Sequence, residues 1–261
     1  MKKTALLMAT LIFTAGLAAA APIFEYTFTT SDHSGWTDGA KVSAYNMWSA
    51  QNPWTITNAA TTGEAILATD WARAETFHNY TAAVGETVRV VTEFAVDGTL
   101  SGNGKLFTSI GFAEKSQTTG NAIPDVRALL ESATDGSYTI GDGAANVVTI
   151  GATDANDWMR FTIDFTRSTT ANEYNVELSV FNITDDALVG STTFDSISTL
   201  SSWGDATELQ TGFRGHELGN AGADAVRIGY LSTEVIPEPA TLGLITAAGG
   251  AVLFIRRRFM I

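Results

Sequence analysis

The acidic side chains whose spacing could support a reaction are Glu93 with Asp97 and Glu173 with Glu177, each pair four residues apart. Cleaving a glycosidic bond needs two carboxyl groups about 5 to 9.5 Å apart, one as acid and one as nucleophile or base. Four residues of extended strand span about 13 Å, so each pair shares a face but stands too far apart to work without a partner from another strand. His33, His78 and His216 are widely separated and read as ordinary surface or turn histidines rather than as bases or ligands. No Gly-x-Ser-x-Gly elbow, phosphate-binding loop or His-Glu-x-x-His occurs, which leaves nucleophilic, nucleotide and zinc-hydrolase chemistry without support. The absence of cysteine removes disulfides, thiolate metal sites, a cysteine nucleophile and a lipidated N-terminal cysteine together. The chain is expected not to be an enzyme.

Binding chemistry has more to work with. Trp36, Trp48, Trp54 and Trp71 crowd the first third of the chain, with Trp158 and Trp203 later. Exposed aromatic rings offer flat faces to sugars, whereas buried ones pack a core. Trp36, between "HSG" and "TDG", and Trp54, between "QNP" and "TIT", sit beside turn residues and are the candidates for a glycan platform. "DANDW" at Asp154 to Trp158 and "TDGS" at Asp135 could offer oxygens to a structural calcium ion. The same residues are equally those that build turns by bonding to their own backbone. No other cofactor is implied. Asn79 and Asn182 each open an Asn-x-Thr sequence, a short match that carries little weight.

The elements that must position these residues are strands. Period-two alternation recurs, and no long apolar stripe of period 3.6 precedes the C-terminal segment. In "TVRVVTEFAVDG", Val88, Val90, Thr92, Phe94 and Val96 share one face while Arg89 and Glu93 point the other way. "KLFTSIGFAE" places Leu106, Ile110 and Phe112 together. In "DWMRFTIDFTRS", Met159, Phe161, Ile163 and Phe165 alternate with Arg160, Thr162 and Asp164. In "EYNVELSVFNITDD", Tyr174, Val176, Leu178 and Val180 alternate with Asn175, Glu177 and Ser179. The polar "STTAN" between the last two makes them an antiparallel hairpin. Further strands are expected near residues 24, 65, 73, 147, 188 and 224, and "VRALLESA" near 126 reads as a strand or a short helix. Gly, Asn and Asp clusters separate them, and no sharp linker divides the region, which favours one all-β sandwich over residues 21–235.

This run of strands resembles the concanavalin-like or laminin-G-like jelly-roll superfamily, over residues 23–234. The resemblance implies an antiparallel β-sandwich whose relatives include lectins, glycan-binding modules and glycosidases. Glycosidases of that scaffold carry Glu-x-Asp-x-x-Glu on one strand, and nothing in this chain matches it.

The two ends carry addresses. Residues 1–20 have the layout of a secretory signal: Lys2 and Lys3, an apolar run from Ala5 to about Leu17, then Ala18-Ala19-Ala20 ahead of a cut before Ala21. Signal peptidase and the general secretion machinery are therefore expected partners. At the other end, Pro237-Glu238-Pro239 precedes sixteen uncharged residues, 240–255, and then Arg256, Arg257 and Arg258. As a helix these sixteen would span roughly 24 Å against about 30 Å of hydrocarbon, a short transmembrane segment. The arginines would keep that end cytoplasmic and the rest outside. Residues 22–236 hold ten Lys and Arg against twenty-seven Asp and Glu, a net charge near −17 that argues against nucleic acid as a partner.

Pro-Glu-Pro, a short apolar helix and an arginine cluster, in that order over residues 236–261, strongly resemble the PEP-CTERM sorting signal. The resemblance implies processing by an exosortase-type membrane protease. Pro237, Glu238 and Pro239 would be the recognition residues, and Arg256 to Arg258 the cytoplasmic stop. Release to the cell surface or the extracellular medium would follow, in association with exopolysaccharide or biofilm. The expectation is therefore an exported, surface-sorted, non-enzymatic matrix protein, with a lectin-like carbohydrate-binding protein as the alternative and a glycosidase third.

Overall fold

The computed structural model describes residues 21–45, 48–51, 54–67, 71–80, 82–96, 105–112, 126–132, 138–141, 147–150, 157–170, 173–198, 208–216 and 226–236. Residues 1–20, where a secretory signal is expected, and the segment from Pro237 onward, where a sorting signal is expected, lie outside the described residues. Among those described, no helix is long and apolar enough to cross a membrane.

The described strands are, in chain order, β1 (Ala21–Tyr26), β2 (Trp48–Gln51), β3 (Trp54–Thr57), β4 (Glu64–Leu67), β5 (Trp71–Asn79), β6 (Thr87–Val96), β7 (Lys105–Phe112) and β8 (Val126–Ser132). They continue with β9 (Tyr138–Gly141), β10 (Val147–Ile150), β11 (Trp158–Arg167), β12 (Glu173–Asn182), β13 (Ala187–Ser198), β14 (Glu208–His216) and β15 (Val226–Ile236). The first sheet runs β13-β12-β11-β6-β15-β4-β3, with β1 also on β15, and the second runs β10-β9-β8-β7-β14-β5-β2. All named pairings are antiparallel, the arrangement that lets each sheet turn one face to a core and one to water.

The alternation read from the sequence sets the first sheet. Val88, Val90, Thr92 and Phe94 of β6 are buried, as are Met159, Phe161, Ile163 and Phe165 of β11 and Tyr174, Val176, Leu178 and Val180 of β12. Their rings interlock, with Phe94 and Phe161 4.6 Å apart and Phe165 stacked on Tyr174 at 4.0 Å. Burying one such phenylalanine is worth about 1.5–3 kcal/mol, and the repetition along three neighbouring strands makes this the main apolar layer. The faces of Val96, Leu106, Ile110 and Phe112 lie outside what is described. The 126–132 segment is a strand, and β2, β3, β9 and β14 are strands that sequence alternation did not mark.

Strand β15 departs from strict alternation. Its register against β6 shifts between Ile228 and Tyr230, so Gly229 is an extra residue, a β-bulge. Val226 and Ile228 are buried before it, and Leu231 and Thr233 after it. The shift therefore turns Tyr230, Ser232 and Glu234 to the outer face.

One end of the sandwich is closed by aromatic residues. Trp36 and Trp54 have no exposed surface, and Trp48 has 3%. The Trp36 indole N–H donates to the Val42 carbonyl at 3.0 Å, and Trp54 meets Phe213 edge-on at 4.7 Å. Phe28 reaches the same cluster from a left-handed backbone conformation, φ 56°, which a bulky residue adopts only under constraint. Asp32 supplies that constraint, its carboxylate accepting from the backbone N–H groups of Thr27 (2.7 Å) and Thr29 (3.2 Å) on either side. Gly63, itself at φ 43°, lies against this turn so closely that an added Cβ would overlap the Thr27 carbonyl oxygen and sit 2.5 Å from the Phe28 carbonyl group. Gly63→Ala is therefore expected to destabilise the protein by about 2 kcal/mol or more, read as a lowered denaturation midpoint. An unchanged midpoint would show that the close approach carries no strain.

Candidate functional site

The outer face of the first sheet carries charge in an ordered pattern. Arg89 and Glu93 project from β6, and Arg160 and Asp164 from β11. Because the strands are antiparallel, the register places Arg89 opposite Asp164 and Glu93 opposite Arg160. Arg89 donates through Nε and Nη2 to the two Asp164 oxygens, each at 2.6 Å, a two-point contact. Arg160 donates through Nε (2.9 Å) and Nη2 (2.5 Å) to Glu93 Oε1. These side chains are partly exposed, so each pair adds no more than about 1 kcal/mol to stability. Their larger effect is geometric, since each partner fixes the other's rotamer.

Val91, Thr162 and Ser232 lie between the two pairs, with Tyr230 and Glu234 along the β15 side. With Arg89, Glu93 and Arg160 these five residues line a depression of about 480 Å³, within the size range of small-ligand sites. The Arg89 guanidinium is held above its ordinary range, chiefly by its hydrogen bonds to Asp164 and further by the charges of Glu234 and Glu177. Partial burial raises the Tyr230 hydroxyl, with the nearby Glu25 and Glu93 carboxylates acting in the same direction, so it stays protonated at neutral pH. The depression thus presents guanidinium N–H donors, carboxylate acceptors and a phenol that does both, on three neighbouring strands of a rigid sheet. Beyond its Arg160 end stands Trp158, partly exposed, with the Arg227 guanidinium over its ring at 5.4 Å from the centre.

The residues singled out from sequence fall differently. Trp36 and Trp54 are not a glycan platform: both are buried in the aromatic end cluster, where turn residues fold the chain back over them. Glu93 belongs to the depression, but as half of an ion pair, and Asp97 lies outside the described residues. Glu177 stands on β12 directly opposite Asp164, yet Asp164 is committed as an acceptor to Arg89. Asp135 and Asp154 are outside the described residues. Asp157 accepts from the Asn182 side-chain amide at 2.9 Å, which is turn chemistry, and no metal-holding cluster of His, Asp or Glu stands among the described residues. Asn182 is 6% exposed and also donates to Asp185, so its amide is occupied, whereas Asn79 is exposed at the end of β5.

The histidines serve structure where their side chains are described. His33 stacks on Tyr45 at 4.5 Å and accepts from the Gly35 N–H. His78 is wedged into the sandwich, stacked on Phe24 at 3.9 Å and bonded to the Thr76 hydroxyl at 3.0 Å. Burial lowers its pKa to about 4. The His216 side chain lies outside the described residues.

The sequence carried one overlooked signal for this site. Arg89-x-x-x-Glu93 and Arg160-x-x-x-Asp164 run in the same chemical order, so antiparallel pairing joins each cation to an acid.

No family model matches the chain, and no curated protein matches it significantly in sequence. Solved structures match it in shape. A carbohydrate esterase from the Shiga toxin-encoding bacteriophage phi24B aligns over 84% of this chain and 100% of its own, at 14% identity and a TM-score of 0.51. The exoplasmic/lumenal domain of VIP36 in its metal-free form aligns over 84% and 95%, at 8% identity and a TM-score of 0.51. The CBM2 module of the evolved Dit of Lactobacillus casei BL23 phage J-1 aligns over 84% and 97%, at 10% identity and a TM-score of 0.50. At such identities the likeness shows the fold alone, a sandwich of two antiparallel sheets, as expected from the strand pattern.

The half-buried His78 makes stability depend on pH. An unfolded histidine takes up a proton near pH 6.5 and this folded one only near 4. The unfolded chain therefore binds the proton first as pH falls, and stability fully present above 6.5 is lost progressively between 6.5 and about 4. His78→Gln should flatten that slope, measured as urea midpoints across the window. Equal slopes in both proteins would rule out His78 as its source.

Proposed function

We propose that this chain is an exported, non-enzymatic carbohydrate-binding protein that holds polysaccharide at the cell surface or in the extracellular matrix through the outer face of its first sheet. The depression between the two Arg–carboxylate pairs carries this reading. A sugar offers neighbouring hydroxyls that donate and accept at once, and ion-paired side chains already locked in place meet them with little further loss of rotamer freedom. Tyr230 adds an amphipathic ring beside those polar groups. A carbohydrate esterase and a CBM2 module among the similar structures support the ligand class.

Catalysis is not part of the reading. Glycoside cleavage needs a carboxyl that keeps its proton and a second one free to attack. Asp164 instead gives both oxygens to Arg89, and Glu93 gives Oε1 to Arg160. No cofactor is invoked, since side chains supply every donor and acceptor. The net charge near −17 over residues 22–236 disfavours polyanionic glycans, so the ligand is neutral or amino-bearing.

Delivery rests on the two ends of the chain. Signal peptidase would remove residues 1–20, and an exosortase-type protease would act at Pro237-Glu238-Pro239 while 240–255 and Arg256 to Arg258 hold the chain in the membrane. A temporary tether of this kind leaves the sandwich outside, where exopolysaccharide is its partner.

On a panel of immobilised neutral, amino-sugar and uronic-acid polysaccharides, the protein should be retained by at least one of the first two. Arg160→Ala with Tyr230→Ala should weaken that retention about tenfold or more without lowering the unfolding midpoint appreciably. Retention by none of the polymers would sink the carbohydrate reading. Replacing Pro237, Glu238 and Pro239 by alanine should leave unprocessed protein in the membrane, and normal surface delivery of that variant would refute their role in sorting.

A further inference from the structure

The depression continues along the strands. On β11 every second residue from Trp158 to Asp164 faces outward, a strip about 20 Å long at the rise of an extended chain. Its far end is built by Trp158. The ring lies on Gly229, where an added Cβ would come within 2.9 Å of two ring carbons, so the bulged glycine is what admits it. Arg227 stands over the ring and is itself 3.7 Å from Glu64. A partly exposed aromatic surface and a third Arg–carboxylate pair thus extend the same chemistry past the depression, in line with the strand.

From this layout we infer that the face binds an internal stretch of a polysaccharide, several linked sugars lying along β11, with Trp158 and Arg227 forming an outer subsite. A terminal sugar alone would fill the depression and leave Trp158 untouched. The inference rests on the carbohydrate reading above and adds the ligand's polymeric character. It also assigns Gly229 two tasks: turning Tyr230 outward and making room for the Trp158 ring.

The test uses size fractions of the retained polymer, from one to six sugars, titrated against the full ectodomain. Affinity should rise at least tenfold between one and four sugars. Trp158→Ala should remove that gain while single-sugar binding stays unchanged, and Trp158→Phe should restore part of it. Gly229→Ala, which displaces the ring and keeps it in the chain, should likewise remove the gain between one and four sugars. Equal affinity for one and six sugars, or the same length dependence in Trp158→Ala as in the wild type, overturns the inference and leaves carbohydrate binding standing. Retention by no polymer on the panel overturns carbohydrate binding itself and this inference with it.

Discussion

A slip of one residue between β6 and β11 would turn one of them over, burying Arg160 and Asp164 and exposing Phe161, Ile163 and Phe165 if β11 moved, or burying Arg89 and Glu93 and exposing Val88, Val90 and Phe94 if β6 did. The cost would be prohibitive in both directions, because unpaired charge is expensive inside and the apolar layer would be lost outside. This register holds the structure together and also makes its surface chemistry. It faces Arg89 with Asp164 and Arg160 with Glu93 as a by-product of placing the phenylalanines in contact. Core and candidate site are therefore not independent features. The core needs the register, and the register leaves the charge ladder on the other side.

The bulge at Gly229 is the exception that this constraint tolerates. Strict alternation after Val226 and Ile228 would carry Tyr230 inward and Leu231 outward. One extra residue reverses that order in the middle of β15, while the hydrogen-bonded register with β6 resumes beyond it. A glycine fits there for a second reason, since any side chain would strike the Trp158 ring. Bulges store local irregularity, and this one sits where the outer face becomes aromatic and polar together.

Much of the fold could be read from alternation, and the reason is physical. The β6, β11 and β12 segments each have one buried and one wet face, so their sequences record it. Strand β14 was invisible for the opposite reason. It sits inside the second sheet, yet "ELQTGFRGH" contains two glycines and only Leu209 and Phe213 as large apolar residues on its buried face, with Thr211 between them. The tryptophans misled because their neighbours were turn residues. A turn beside Trp36 suggests exposure, whereas the chain from Thr27 to Tyr45 doubles back and leaves that ring with no exposed surface. The site's charges were legible individually, but their pairing needed the register between two strands more than sixty residues apart.

The aromatic end and the charged face divide the molecule's work. Trp36, Trp48, Trp54, Phe28 and Phe213 spend the large apolar rings on sealing the interior, and the indole N–H groups of Trp48 and Trp54 are buried there without a partner. Leaving such donors unpaired costs about 1–3 kcal/mol each, so this end is tolerated for its packing rather than its polarity. The outer face makes the reverse trade. Its side chains contribute little to stability, since exposed pairs are screened by water, and they are nonetheless fixed by two-point hydrogen bonds. Groups held in place at small benefit to folding are available to recognise something else. A neutral chain of hydroxyls suits them, because it can bridge each arginine and its carboxylate without breaking the pair or adding charge to an already acidic domain.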